Sequence, residues 1–489
     1  ECWGLTSVTI PNSVTSIGYG AFYGVYNITY SGDAEGAAWG AENMNMNIEY
    51  PFILNQDRTI LTKCINTAKG AVAVPDGVET IAQLAFYNCD SITSVSLPNS
   101  LQYIGQSAFH TCSGLTEIPI PNSVTTIGSY AFYGCDGLTE IILPSSVTIV
   151  GADAFGFCKN LHKVIALNAE ISCMLIDGER IDGFNSPIRS CLALDTLIAP
   201  AKWLVPDQNY DGGAYSVDYY ASYYTLPNLK YAQLISETLT EGVREVLSFS
   251  AKTLRKIDAS ATTNTSLPDQ IFYNLYNLDT LILPAGLVEI NYMAVAECVI
   301  LKSIDIPASV TTIDARAFEN CRSLQSVTFH GNALQTIGNW AFYNAHALQN
   351  IVIPEGVTSI GDGAFYGCNY LNNLSLPASV SQIGDYGFAQ CERLQKMQVD
   401  AIVPPVVAAE TFATVNRSIP VYVPDASVDD YQAAPVWREF NIVGQSQIGS
   451  GVNTIDANNT QPRKILENGN IFILLPDGTR YITTGQKVK

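Results

Sequence analysis

Charge is scarce in this chain, and basic charge scarcer still. Charged residues fill 14% of the 489 positions, with 25 Lys and Arg against 45 Asp and Glu. The formal net charge of −20 repels polyanions at long range, which argues against nucleic acid and anionic membrane as main partners. Histidine occurs four times, leaving little material for imidazole catalysis or histidine-based metal sites. No apolar run reaches the roughly 18 residues a spanning helix needs, so no membrane span is expected. H-E-x-x-H, P-loop, G-x-S-x-G and G-x-G-x-x-G signatures are all missing, and the chain reads as non-catalytic. C-x-x-C is missing too, which argues against a disulfide framework or metal cluster. What remains is a chain 47% hydrophobic, too apolar for disorder and able to bury a large core.

The core is written as a repeat. Ala85-Phe86, Ala108-Phe109, Ala131-Phe132 and Ala154-Phe155 recur every 23 residues. Ala317-Phe318, Ala341-Phe342, Ala364-Phe365 and Gly387-Phe388 follow at spacings of 24, 23 and 23. A full unit runs from Leu115 through Ile118, Ile120, Pro121, Val124, Ile127, Gly128, Ala131 and Phe132 to Cys135. A period of about 23 falls in the leucine-rich-repeat range, where each unit buries its apolar face only against its neighbours. The pattern predicts a right-handed repeat solenoid of short parallel strands joined by short helical or 3₁₀ turns. Leu115, Ile118 and Ile120 point inward from a strand that Pro121 ends by removing a ladder donor. Val124-x-x-Ile127-Gly128 forms a second extended segment, with the glycine turning the chain. Ala131-Phe132 packs the third side.

Ten of the twelve cysteines, among them Cys2, Cys112, Cys135 and Cys391, stand three residues before a strand's first Leu or Ile. Stacked turns place such side chains in an inward ladder, all pointing the same way, which does not suit a disulfide. They are expected as buried free thiols.

Three breaks divide the array. Repeats fill 1–166 with an irregular interval at 28–72, resume at 267–400, and are separated by an irregular, Tyr-rich continuation at 167–266. Residues 401–444, with Pro404-Pro405, Phe412, Tyr431, Trp437 and Phe440, have the content of a terminal cap. The Gly/Ser/Asn/Gln-rich stretch 445–462 reads as a linker. Residues 463–489 alternate as a β-hairpin and carry five basic against two acidic residues.

Candidate sites are few. The outward strand positions, including Thr116, Glu117, His162, Lys163, Gln325, Ser326, Gln349, Asn350, Asn372, Asn373, Gln395 and Lys396, form either a solvated sheet face or a binding surface. The densest unusual feature is Trp203 followed by Tyr215, Tyr219, Tyr220, Tyr223 and Tyr224. Tyrosine offers a stacking face and a hydroxyl, suited to protein or glycan recognition. Most of these rings would pack the irregular core, with one or two left as surface anchors. Asp207, Asn209, Asp211 and Asp218, with Gly212 at the turn, match the oxygen spacing of a calcium loop and could wrap one Ca²⁺. No other cofactor is indicated.

The Ile-Gly-x-x-Ala-Phe-x-x-Cys unit, over 1–27, 74–166 and 268–400, resembles the BspA-type leucine-rich repeats of bacterial surface proteins. The Pro-Pro, Phe, Val-Tyr-Val-Pro, Tyr and Trp sequence at 404–437 is similar to that family's C-terminal unit. The stretch 467–481 is similar to C-terminal segments of exported proteins from Gram-negative anaerobes. The resemblance implies export to the cell surface and adhesion to a protein partner such as a host matrix or cell-surface protein. It carries no catalytic residue. No secretion signal precedes Glu1, so the reading expects a removed signal peptide or a longer parent protein. Two rivals stand beside adhesion: a carbohydrate-binding component of a glycan-capture system, and a spacer for an N-terminal domain.

Overall fold

A computed structural model describes residues 51–174, 186–204, 225–235 and 238–447. It also describes 7–11, 13–17, 21–22, 25, 27–29, 43–44, 47–49, 463–467, 470–474, 480–482 and 487–488. The chain winds as a β-solenoid of about 16 turns, with parallel strands and little helix. Each turn has three sides, and each side follows from the repeat.

The first side is the L-x-x-I strand. Glu140–Leu143 pairs in parallel with Lys163–Ala166, Glu140 opposite Lys163 and Leu143 opposite Ala166, a shift of one repeat. Pro then opens a β-turn whose carbonyl receives the Val amide three residues on, as in Val124 N to Pro121 O at 3.1 Å. The second side carries two- or three-residue strands: Thr80–Ile81, Tyr103–Ile104, Thr126–Ile127 and Ile149–Gly151 pair in one parallel sheet. Gly128 stands where the second-side strand gives way to the next turn, its carbonyl accepting the Ala131 amide at 3.2 Å. A Cβ there would lie 2.5 Å from the Gln106 amide nitrogen, so close approach of successive turns is what requires glycine.

The third side departs from a helical or 3₁₀ turn. Amides alternate between two ladders. Ala108, His110 and Cys112 donate within their own turn to the carbonyls of Gly105, Ser107 and Phe109. Ser107, Phe109 and Thr111 donate to Ser129, Ala131 and Tyr133 of the next turn, at 2.9, 2.7 and 2.7 Å. A 3₁₀-helix would send every amide to its own i−3 carbonyl. Here every second amide crosses between turns, and the chain accommodates this with left-handed residues at Ser107 and Thr111, φ 52° and 57°.

Inside, Phe86, Phe109, Phe132 and Phe155 stack with centroids 4.5, 5.0 and 5.4 Å apart, all fully buried. Phe318, Phe342, Phe365 and Phe388 repeat the column at 5.1 Å steps. The described cysteines are free and buried, apart from Cys173, whose side chain is not described. From Cys112 on, thiols of the regular array find an acceptor one turn back: Cys112 Sγ donates to Phe86 O at 2.9 Å, Cys135 to Phe109 O at 3.0 Å, Cys158 to Phe132 O at 3.1 Å.

Through the irregular region the first-side sheet is unbroken. Lys163–Ala166, Thr196–Ala199, Tyr231–Leu234, Lys256–Asp258 and Thr280–Ile282 pair in sequence, Lys163 opposite Thr196, Thr196 opposite Tyr231, Tyr231 opposite Lys256. Among the described residues the second-side sheet stops at Ser172–Met174 and restarts at Ser266–Leu267. Between them the α-helix Glu241–Ser248, burying Val243, Val246 and Leu247, packs on the 3₁₀ turn Ala201–Leu204.

Both ends of the long array are closed. Phe52–Leu54 and Ile60–Cys64 form an antiparallel hairpin, and the second of these strands pairs with Thr80–Ile81. At the other end Pro420–Val423 and Asn441–Gly444 extend the first-side sheet. Trp437 and Phe440 meet Phe412 edge-on at 5.3 and 5.4 Å, covering the last ring of the column. Tyr431 and Trp437 donate to Ala401 O and Pro405 O, each at 2.8 Å, so neither buried polar tip is orphaned. Arg463–Glu467, Asn470–Leu474, Arg480–Ile482 and Lys487–Val488 make a four-stranded antiparallel sheet.

Candidate functional site

Period-two alternation splits each first-side strand between core and solvent. Leu115, Leu348 and Leu394 are buried, while Thr116, Glu117, Gln349, Asn350, Gln395 and Lys396 are exposed beside them. Most of this face is small and polar. Its middle is different.

Across the strands from 140 to 282 the outward positions gather charge and aliphatic bulk. Lys163 Nζ lies 2.7 Å from Glu140 Oε1, Lys230 Nζ 3.4 Å from Asp195 Oδ2, and Arg255 3.8 Å from Asp279. Lys256 Nζ sits 5.2 Å from the Tyr231 ring centroid, within cation–π range. Tyr231 O–H donates to Gln233 Oε1 at 3.2 Å, and partial burial, then Asp258, push its phenol up from the ordinary value. Exposed pairs of this kind add little stability, so their worth to the fold does not account for the cluster. Alongside runs an aliphatic row in register: Ile142 opposite Ile165, Ile165 opposite Ile198. Ile142 is 46% exposed and Leu167, just past the next strand, 58%. Further along, Ile282, Asp305 and His330 line a shallow groove, His330 Nε2 3.4 Å from Asp305 Oδ1.

Of the residues singled out in the sequence, Trp203 lies in the core, 1% exposed, and its indole Nε1 has no hydrogen-bond partner among the described residues. So deeply buried, its ring offers no face to a ligand. Tyr215, Tyr219, Tyr220, Tyr223 and Tyr224 lie outside the described residues, as do Asp207, Asn209, Asp211 and Asp218. Their segment, 205–224, joins Thr196–Ala199 to Tyr231–Leu234, two paired strands of the mid-solenoid face. Among the described residues no group of three His, Cys, Asp or Glu side chains could hold a metal ion, and no helix is long and apolar enough to cross a membrane.

Sequence reasoning missed the turn side. Its outward positions carry aromatic columns: Tyr87, His110, Tyr133 and Phe157 step at 5.3, 4.9 and 5.1 Å. His110 is held between two tyrosine rings, and burial lowers its pKa. A second cluster holds Trp340, Tyr343, Tyr366 and Tyr386. The signal lies in the aromatic residues beside several of the Ala-Phe pairs, such as Tyr87, Tyr133, Trp340, Tyr343 and Tyr366.

With this geometry established, comparison places the chain. The model of the BspA type leucine rich repeat region matches residues 1–31, 62–172, 245–346 and 335–413, more than half of the sequence, and the chain belongs to that family. Among solved structures it is similar to a leucine-rich repeat protein from Bacteroides ovatus, at 22% identity over 72% of this chain and 92% of that one, TM-score 0.33. A leucine rich cell surface protein from Faecalibacterium prausnitzii matches at 23% over 72% and 94%, TM-score 0.27. The pneumococcal vaccine antigen PcpA matches at 15% over 82% and 97%, TM-score 0.28. At these identities the likeness is one of fold alone. No curated protein matches the chain.

Proposed function

We propose that this member of the family is a non-catalytic binding module of a bacterial cell surface, exported and adhesive, that engages a protein partner with the middle of its first-side sheet. The observation that carries this reading is the row Ile142, Ile165 and Ile198, continued by Gln233, Asp258 and Ile282, running in register beside the row Glu140, Lys163, Thr196, Tyr231 and Lys256. Exposed aliphatic surface rimmed by charge marks an interaction site, because burying it against a partner removes apolar area from water while the charges fix register. The basic side chains there are matched by Glu140, Asp195 and Asp279, so the face presents alternating charge and favours a partner that presents both signs.

The Tyr-rich segment 205–224 is part of the same proposal, since it joins two strands of this face. Tyr219 and Tyr223 would contribute rings to the contact, and Asp207, Asn209, Asp211 and Asp218 could order the segment around Ca²⁺. The test is a binding screen of the purified chain against immobilised host matrix proteins, with calcium and with chelator. A reproducible protein hit supports the reading, and calcium dependence assigns the loop. Silence throughout would favour a spacer, and a hit on soluble glycans at this face would favour carbohydrate capture.

A further inference from the structure

We propose that the turn side at residues 339–386 is a second binding site, a platform for a neutral oligosaccharide, separate from the sheet face. In each turn the residue before the Ala-Phe pair is left-handed and projects over the neighbouring turn: Arg316, Trp340, Gly363 and Tyr386 have φ of 58°, 59°, 57° and 56°. The solenoid imposes this conformation on the slot in turn after turn, at Leu84, Tyr130 and Met293 as well, so the backbone fixes where the side chain stands and the residue type decides what it presents. Trp340 and Tyr386 take the slot on either side of Gly363. A Cβ on Gly363 would overlap Cε3 and Cζ3 of Trp340, so the indole lies over that turn and the glycine makes room for it.

The rings form a surface rather than a cage. Tyr343 and Tyr366 stack on each other at 5.4 Å and 23°. Trp340 stands at 81° to Tyr343 and 61° to Tyr366, with centroids 5.4 and 5.9 Å apart, and Tyr386 stands at 69° to Tyr366. Contacts that close leave no space between rings for a quaternary ammonium group, which needs aromatic faces around it. Two panels inclined to a shared wall instead suit the flat C–H face of a pyranose. Tyr386 is 39% exposed.

The polar rim agrees. Asn339, Asp362 and Asp385 run parallel to the rings, one position earlier in each turn. Asn339 Oδ1 accepts the Asp362 amide at 2.9 Å, and Asp362 Oδ1 accepts the Asp385 amide at 2.8 Å. Asp385 Oδ1 accepts the Tyr386 amide at 3.1 Å. One oxygen of each carboxylate is thereby fixed by backbone and the other is left to accept hydroxyl donors. Carboxylates also disfavour anionic ligands, so neutral sugar, not sulfated or phosphorylated polymer, is the class that fits.

The experiment is calorimetric titration of the full chain with cellohexaose, maltohexaose and choline chloride, repeated on Trp340→Ala and on the more exposed Tyr386→Ala, with thermal melts as the folding control. The proposal expects a neutral hexasaccharide to bind and each variant that melts like the parent to weaken it by about tenfold. Absence of hexasaccharide binding at millimolar concentration overturns it. So does undiminished binding by a folded Tyr386→Ala, which would place the sugar elsewhere, or binding of choline alone, which would make the cluster a cation site.

Discussion

Arg189 grips the carboxylate of Asp153 with two hydrogen bonds, Nε to Oδ1 at 2.8 Å and a terminal guanidinium nitrogen to Oδ2 at 2.5 Å. Asp153 is 4% exposed and belongs to the last regular turn of the first array; Arg189 opens the turn that follows. The pair ties the regular solenoid to its irregular continuation. Burial is the larger influence on Asp153 and pushes its pKa up from 3.8 to about 6, with Arg189 pulling the other way.

That relationship gives a pH dependence of definite sign. An acid whose pKa is raised on folding binds its proton more tightly in the folded state. Its contribution to stability is therefore fullest below about pH 4, falls as pH rises through about 6, and is flat above. Relative to Asp153→Asn, the parent should lose on the order of 2–3 kcal/mol of stability across that window, read by chemical denaturation at several pH values. Parallel pH profiles for the two proteins would contradict the account.

The thiols should be inert in the native state. Burial pushes Cys158, Cys298 and Cys391 up to about 12, so little thiolate forms at pH 8. Alkylation at pH 8 followed by peptide mass mapping should leave these three unmodified until denaturant is added. Modification of any of them in the folded protein, or a disulfide among them, would mean that the ladder is misplaced.

Phe132 sits between Phe109 and Phe155 at 5.0 and 5.4 Å with no exposed surface. Phe132→Ala should cost about 3–5 kcal/mol, because backbone ladders on three sides keep the turn from collapsing into the cavity. A loss below about 1 kcal/mol in urea denaturation would place that ring outside the core.

The repeat and its interior were legible in the sequence because they depend on residue type alone. Phe132 and Cys135 recur where a buried ring and a small thiol fit, and Pro121 marks the corner. The turn side was not legible, since its conformation depends on a partner 23 residues away. Nothing local in Ser107-Ala108-Phe109-His110 says that every second amide will leave the turn. The corner at Gly128 is legible, whereas the close approach of the preceding turn that also requires glycine has no signature within its own unit. Trp203 stands near the tyrosines only in sequence; its burial assigns it to the core. The aromatic cluster around Trp340 was scattered over three repeats and assembled only by the winding.

The central claim is that the middle of the sheet face binds protein. Its most direct test is surface plasmon resonance of the parent and the Arg255→Glu, Lys256→Glu double variant on immobilised host matrix proteins. The exchange also removes the Arg255–Asp279 pair and the Lys256 contact with Tyr231, so thermal melts of both proteins accompany the binding measurement. The account predicts that at least one matrix protein retains the parent and that the variant binds about tenfold more weakly, with the loss growing at low salt. Equal binding by the two proteins, or no binding by the parent to any of them, would contradict it.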